Sequence, residues 1–132
     1  MTSDTPAVPT ILLVEDDPML RTLIRRMLEG AGYDLLVAPN GDTALTLARE
    51  RPGAIDLLLT DVVMPRMNGF ELSGHIVSAH PEVSVLFLSG YADESNSVRA
   101  GLKTTRHAFL LKPFTQDVLL GKIQEVLASP AD

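Results

Sequence analysis

The sequence contains no cysteine and no tryptophan, and aromatic side chains make up only 5% of its 132 residues. Without cysteine the chain forms neither disulfide bonds nor thiolate metal sites. This absence excludes the disulfide-stabilised domains typical of secreted proteins. It fits a reducing compartment, and we expect a cytoplasmic location.

Long hydrophobic runs and basic clusters are missing as well. No apolar run approaches the roughly 20 residues that span a membrane, and the opening residues MTSDTPAVP lack the basic and apolar regions of a secretory signal. The formal charge is −6, whereas binding to nucleic-acid phosphates requires clustered Lys and Arg. The nearest approach to a cluster is Arg21, Arg25 and Arg26, which we interpret as a solvated helix face. We expect neither a membrane nor a nucleic-acid partner.

Hydrophobic residues are abundant enough to form a core. They make up 45% of the sequence and the mean hydropathy is +0.17, which excludes an intrinsically disordered chain. A length of 132 residues fits one domain of common size. We predict a flexible N-terminal tail at residues 1–9, a single domain at 10–128 and a short C-terminal tail at 129–132.

Short apolar runs alternate with helical patterns along this domain. The runs predict β-strands at residues 10–14, 33–38, 55–59, 83–88 and 107–111. Turn and capping residues predict helices that begin after Asp17, at Asn40-Gly41 (ending at Arg51), after Asn68-Gly69 and at Thr115. Residues 92–105 are only weakly helical. The alternation predicts an α/β domain with a parallel sheet covered on both faces.

Three of the predicted helices carry apolar residues at the spacing of one helix face. We expect these residues to face the core: Leu20, Leu23, Ile24, Met27, Leu28 and Ala31 in the first helix, Leu72, Ile76 and Ala79 in the third, and Leu119, Leu120, Ile123, Val126 and Leu127 in the last.

The unusual polar residues follow the apolar strands. Three acids, Glu15, Asp16 and Asp17, follow the first strand, Asp61 follows the third, Ser89 the fourth and Lys112 the fifth. In parallel α/β sheets, ligands bind outside the carboxyl ends of the strands. Because a buried carboxylate is costly unless a cation compensates it, the pattern predicts a charged site at this edge.

The chemistry of such a site favours phosphoryl transfer. Converging carboxylates repel one another unless a divalent cation lies between them, and oxygen ligands favour Mg²⁺ or a similar hard ion. Magnesium is usually held by one or two carboxylates together with a substrate phosphate. Asp61 would act as the nucleophile, while Lys112 and Ser89 would contact the phosphoryl oxygens.

These residues stand in four motifs: VEDDP with Glu15 and Asp16, TDVVMPRMNG with Asp61, SGY with Ser89, and LKPF with Lys112. Each motif alone is weak. Together, in this order and over nearly the whole chain, they resemble the CheY-like receiver domain of response regulators in two-component signalling. The SGY and LKPFT segments are similar to those of receivers attached to hybrid sensor kinases.

The resemblance implies a flavodoxin-like (βα)5 fold, doubly wound, with a five-stranded parallel sheet of order 2-1-3-4-5. Asp61 would be the phosphoacceptor. Asp16, Asp61 and the Val63 backbone carbonyl would bind Mg²⁺ (or Mn²⁺) directly, and Glu15 would act through water. Asp17 is then left to cap the first helix.

Further roles follow from the same resemblance. The Lys112–Pro113 peptide bond would be cis. Ser89 and Phe109 would form the switch that moves on phosphorylation, although Phe109 lacks the phenol of the commoner tyrosine and could instead be ordinary core filling. The readout face would combine residues 92–105, the fifth strand and the last helix.

Val63 and Tyr91 occupy positions that resemble the family's tuning sites for attack of water on the phosphoryl group. A valine and a bulky ring position water poorly. We therefore expect slow self-dephosphorylation, and a phosphoaspartate half-life of seconds would contradict this.

The implied partners are a histidine kinase or histidine phosphotransfer protein as donor, and a downstream protein target. We expect a monomer or weak dimer, and no enzymatic activity beyond the chain's own phosphorylation and slow dephosphorylation. The sequence is consistent with a single-domain regulator or with a receiver cut from a larger protein, without an output domain. Two alternatives are a pseudo-receiver that binds without phosphorylation and a flavin-binding electron carrier, although three acids after the first strand would repel a flavin phosphate.

Overall fold

The computed structural model describes residues 8–51, 53–90 and 107–128. In these residues a five-stranded parallel sheet is formed by β1 (Thr10–Val14), β2 (Asp34–Ala38), β3 (Leu57–Asp61), β4 (Ser84–Ser89) and β5 (Ala108–Leu111). The strand order is β2-β1-β3-β4-β5. The predicted α/β fold and the order 2-1-3-4-5 are confirmed.

The described residues also contain the helices α1 (Pro18–Gly30), α2 (Gly41–Glu50), α3 (Gly69–Ala79) and α4 (Gln116–Ala128). The weak helix predicted at residues 92–105, the tail at 129–132 and most of the tail at 1–9 lie outside the described residues. No helix in the described part of the chain combines the length and apolar character needed to cross a membrane.

Side chains that accept hydrogen bonds from first-turn amides begin each of these helices. Asp17 caps α1 as predicted, and Asn40 caps α2. Asn68 and Glu71 form a reciprocal capping box at α3. The Thr115 hydroxyl accepts from the main chain of the first turn of α4. The helix starts therefore follow from short-range chemistry that a sequence displays directly.

The sheet is buried on both faces because helices cover it on both sides. Along β1, Leu12 and Val14 pack into the core beneath α2 and α3, whereas Ile11 and Leu13 pack into the core beneath α1 and α4. Successive strand residues point to opposite faces. All five residues of β1 are buried, which explains its continuous apolar sequence.

The third strand begins later than predicted, and this changes the position of the key aspartate. β3 covers Leu57–Asp61 rather than residues 55–59, so Asp61 is its last residue and does not follow it. The Asp56 carboxylate accepts a hydrogen bond from the Thr10 amide at 2.8 Å, and the β1 ladder starts only at Leu57. The side chain of Ile55 is buried without belonging to the ladder.

Smaller corrections concern other boundaries. β2 begins at residue 34 rather than 33, β4 covers 84–89 rather than 83–88, and β5 begins at 108 rather than 107. These limits are set by where each ladder starts and ends, which depends on the neighbouring strand. The second helix ends at Glu50, with Arg51 as its cap.

Three residues assigned to buried helix faces are exposed. Leu23 is 49% exposed because Ile24 and Leu28 form the buried stripe of α1 and Leu23 lies beside it. Ala31 is the C-cap of α1, and the chain turns away at Gly32, whose φ of +89° suits glycine. Ala79 is the last residue of α3 and lies beyond its buried face.

Candidate functional site

Three carboxylates meet at the carboxyl edge of the sheet. Glu15 and Asp16 directly follow β1, and Asp61 ends the neighbouring strand β3. One ligand atom from each of the three residues lies within 4.8 Å of the other two. Glu15 and Asp61 are buried, with 1% and 4% exposure, while Asp16 is exposed. The structure therefore brings together the acids that the sequence places in different motifs.

Burial and repulsion from neighbouring acids raise the pKa values of Glu15 and Asp16. Burial raises the pKa of Glu15 to about 7, and a hydrogen bond and repulsion from Asp61 act in the same direction. Burial also raises the pKa of Asp16, and a hydrogen bond and repulsion from Glu15 act in the same direction. Without a further cation the cluster is therefore electrostatically unfavourable when fully ionised.

Lys112 supplies a positive charge to the cluster. It directly follows β5, and its Nζ lies 2.5 Å from Asp61 Oδ1 and 3.5 Å from Glu15 Oε1. Burial works to lower the pKa of Lys112, but contact with Asp61 and attraction to Glu15 outweigh it and leave that pKa raised. One ammonium balances one carboxylate, so ionisation of all three leaves a net negative site.

The donor set fits a hard divalent cation. Asp61 Oδ1 and Glu15 Oε1 are buried, and in the described residues the Lys112 ammonium is the cation that lies near both of them. With Asp16 they form an all-oxygen set, which favours Mg²⁺ or Mn²⁺ over zinc. These residues therefore fit the cation that the sequence predicts.

The turn that carries the acids is held by its own side chains and by α1. Glu15 Oε2 accepts from the Asp17 amide at 3.1 Å, and the Asp17 carboxylate caps α1. Arg21 Nη1 donates to the Glu15 carbonyl oxygen at 2.9 Å. The interpretation of Arg21 as part of a solvated face was wrong, because its half-buried side chain turns back to the acidic turn.

This geometry agrees with the comparison of the whole chain with known proteins. The family model of the response regulator receiver domain matches residues 11–124 of this chain. The chain belongs to the response regulator receiver family. A receiver of this family acts in two-component phosphorelay signalling.

Relatives of the receiver include proteins of which it spans only a small part and proteins of similar length. It is 34% identical over 125 residues to the sensor kinase CckA of Brucella abortus, covering 95% of this chain and 13% of that protein. The crystal structure of the receiver domain from hybrid histidine kinase CckA superimposes with a TM-score of 0.74 at 31% identity, covering 89% of this chain and 98% of that one. The structure of chemotaxis protein CheY4 of Vibrio cholerae superimposes with a TM-score of 0.78 at 29% identity, covering 91% of this chain and 99% of that one.

Receiver domains hold Mg²⁺ in an acidic pocket and interact with histidine kinases or phosphotransfer proteins. In this receiver the acidic pocket is the cluster of Glu15, Asp16 and Asp61. The loop after β3 begins directly after Asp61. Val63 lies in this loop two residues after Asp61, with its side chain 51% exposed. A tight three-residue turn follows, in which the Met67 amide donates to the Pro65 carbonyl.

The predicted switch residues of the receiver lie at the end of β4 and within β5. Ser89 ends β4 and is buried, one residue beyond Leu88, which is the register partner of Asp61 on β3. Phe109 is half-buried and stacks on Phe87, with ring centroids 5.1 Å apart, and it meets Phe70 edge-on at 6.4 Å. Tyr91 and residues 92–105 lie outside the described residues. The roles of Ser89, Phe109 and Tyr91 stay predictions.

The peptide bond between Lys112 and Pro113 is cis, the isomer that the resemblance implies. It directly follows β5, so Lys112 leaves the sheet at the edge where the acids lie.

Two residues that contact the Asp61 backbone had no role at the site predicted from the sequence. Thr60 is buried and its hydroxyl donates to the Asp61 carbonyl oxygen. Gly69 begins α3 directly against the same carbonyl. The available signal for Thr60 was a single polar residue inside an apolar strand, LLLTD, which requires a hydrogen-bond partner when buried.

Proposed function

We propose that this receiver accepts a phosphoryl group from a phosphohistidine partner onto Asp61 in a Mg²⁺-dependent reaction. The observation that carries the proposal is the position of the Lys112 ammonium, 2.5 Å from Asp61 Oδ1 and beside the buried carboxylates of Asp61 and Glu15. An ion pair alone would need no additional acids. The presence of Glu15 and Asp16 beside it supports a site for a cation and a phosphoryl group.

The residues divide the chemistry among them. An Asp61 carboxylate oxygen attacks phosphorus, the new O–P bond forms, and the P–N bond of the donor breaks, with the electron pair returning to the imidazole nitrogen. Lys112 donates hydrogen bonds to the phosphoryl oxygens, as does the Ser89 hydroxyl. Mg²⁺, held by Glu15, Asp16, Asp61 and the Val63 carbonyl, would neutralise charge on the transferring group.

Phosphorylation then changes a protein-binding face. Drawing the Ser89 hydroxyl toward the new phosphoryl group shifts the end of β4, and Phe109 on the neighbouring strand responds. A downstream protein reads this change. The proposal includes a cytoplasmic location, a monomer or weak dimer, and no catalysis beyond the receiver's own phosphorylation and slow dephosphorylation.

The same chemistry suits two settings. Similarity to CckA is consistent with the receiver of a hybrid sensor kinase, and similarity to CheY4 is consistent with a single-domain regulator. Membership in the receiver family removes support from the flavin-carrier alternative.

Intact mass spectrometry tests the proposal. Wild-type protein incubated with Mg²⁺ and acetyl phosphate should gain one phosphoryl group, and Asp61→Asn should gain none. The matched control Asp34→Asn, an exposed aspartate at the opposite edge of the sheet, should be modified like the wild type. The proposal fails if the wild type gains no phosphoryl mass or if Asp61→Asn gains it equally, and the first result would favour a pseudo-receiver.

A further inference from the structure

Thr60 carries a hydroxyl group at a fully buried position of β3. Burying a hydroxyl is unfavourable unless it forms a hydrogen bond. Thr60 Oγ1 donates to the Asp61 carbonyl oxygen at 3.1 Å, and the Met64 sulfur at 3.8 Å is a weak alternative acceptor. Both partners belong to the end of β3 and the loop that follows it. The buried hydroxyl is therefore committed to the backbone of the proposed phosphoacceptor.

Gly69 approaches the same carbonyl from α3. Its amide donates to the Val62 carbonyl at 2.8 Å, which closes the loop between β3 and α3. A Cβ added at Gly69 would overlap the Asp61 carbonyl oxygen and press against the Val62 backbone. The N-terminus of α3 can therefore rest on the end of β3 only because residue 69 has no side chain.

The peptide unit between Asp61 and Val62 is consequently fixed at both of its polar groups. Its N–H, from Val62, donates to the Leu88 carbonyl of β4 at 3.0 Å. Its C=O accepts from the Thr60 hydroxyl and lies against Gly69. Rotation of this peptide would move the Asp61 side chain on one side and redirect the chain toward Val63 on the other.

We propose that Thr60 is a positioning residue for phosphoryl transfer. Its hydroxyl donates to the Asp61 carbonyl, and Gly69, which has no side chain, packs against the same carbonyl. Together these contacts hold the Asp61–Val62 peptide in the orientation that keeps the Asp61 carboxylate within the acidic cluster. The same peptide begins the chain segment that carries the Val63 carbonyl, a proposed ligand of the cation. This inference rests on the proposed function of Asp61, and it assigns the hydroxyl a role that a buried apolar residue of the same shape could not fill.

Substitution of Thr60 separates its hydroxyl from its shape. Thr60→Val keeps the branched shape and removes the hydroxyl, whereas Thr60→Ser keeps the hydroxyl and removes a methyl group. Because loss of groups that orient ligands commonly weakens metal binding or activity by 10-fold or more, we expect Thr60→Val to lower Mg²⁺ affinity and the acetyl phosphate reaction rate by roughly tenfold each. Thr60→Ser should stay within about twofold of the wild type.

Mg²⁺ affinity is measured by calorimetry, which reads the site without phosphorylation, and the reaction rate by intact mass. Urea unfolding of each variant verifies that it is folded. Ser73→Ala is the matched control, since it removes another buried hydroxyl that donates to a main-chain carbonyl, that of Phe70 at 2.8 Å. This control should leave both measurements unchanged.

A second pair of variants tests the opposing contact. Gly69→Ala should displace the Asp61 carbonyl and weaken Mg²⁺ binding by about tenfold. Gly74→Ala in the same helix meets no atom within 4 Å of the added Cβ and should bind Mg²⁺ like the wild type. If Thr60→Val does not fold, Thr60→Ser and the folded Gly69→Ala decide the question by the same measurements.

The outcomes distinguish this inference from the proposed function. The inference is overturned if folded Thr60→Val binds Mg²⁺ as tightly as the wild type. If the valine variant does not fold, wild-type Mg²⁺ affinity in folded Gly69→Ala overturns the inference. A loss in Thr60→Ser as large as in Thr60→Val also overturns it, because shape rather than the hydroxyl would then matter. If wild-type protein takes up no phosphoryl group, the proposed function fails, while Mg²⁺ affinity still decides whether Thr60 orients the acidic cluster.

Discussion

Glu15 is the least exposed acid of the acidic cluster, and its surroundings disfavour its ionised form. It is 1% exposed, and burial raises its pKa to about 7 from an ordinary value of 4.5. In the metal-free protein, Glu15 therefore retains a proton across a pH range in which the unfolded chain has released it. This difference links folding to pH.

The first prediction concerns stability in EDTA. Between pH 4.5 and about 7 the folded state binds the Glu15 proton more tightly than the unfolded state, so stability should fall as pH rises through this window. Urea unfolding at pH 5.5 and 7.5 measures the change in midpoint. Other groups also titrate in this range, so the contribution of Glu15 is obtained from Glu15→Gln, which should show a smaller decrease. A decrease as large as in the wild type would contradict the prediction.

The second prediction concerns the lifetime of the phosphorylated receiver. Val63 lies two residues after Asp61 and is half-exposed, and its side chain offers no polar group that could orient an attacking water. Phosphoaspartate should therefore persist well beyond seconds after the donor is removed, as followed by intact mass. Because a group that only orients water contributes less than a full general base, Val63→Gln should speed the loss by about tenfold. Decay of the wild type within seconds would show that Val63 is no barrier.

Boundaries of helices and strands that depend on nearby residues could be predicted from the sequence, whereas those that depend on distant residues could not. Asp17 and Thr115 were correctly predicted to begin helices, because a cap bonds to amides within three residues. The start of β3 was not, because it depends on the Asp56 carboxylate bonding to the amide of Thr10, 46 residues away. Leu23 was misplaced for a related reason, since the edge of an apolar face is set by the packing of the helix on the sheet.

The third prediction concerns a glycine inside α4. Gly121 lies at an exposed position in Gln116–Ala128, and a Cβ there meets no atom within 4 Å. Since glycine in a helix interior is less favourable than alanine, Gly121→Ala should raise the free energy of unfolding by about 0.5–1 kcal/mol. Urea unfolding measures this, and Gly69→Ala should change stability in the opposite direction. A lower midpoint for Gly121→Ala would mean that α4 makes a contact there that an added methyl group disturbs.

At the scale of the whole molecule, the site exists only because three strands end at one edge. The sequence places an acid or a lysine at or directly after the end of each of these strands, and the parallel topology brings them together. The contacts of Arg21 and Thr60 with the backbone of this edge could not be predicted, because they depend on side-chain orientation in the packed fold. The charged residues of the site were therefore accessible from the sequence, whereas the groups that hold their backbone were not.

The last prediction links the site to the stability of the whole domain. Glu15, Asp16 and Asp61 repel one another in the folded chain, so a cation that binds only the folded state should stabilise it. At Mg²⁺ concentrations about 100 times the dissociation constant, unfolding should require about 2.7 kcal/mol more than in EDTA. Asp16→Asn should abolish this response and should be no less stable than the wild type in EDTA, because one repelling charge has gone. Asp34→Asn should retain the response. The prediction is contradicted if Mg²⁺ does not change the unfolding midpoint of the wild type, or if Asp16→Asn responds as strongly as the wild type. Either result would show that the acidic cluster does not hold the cation.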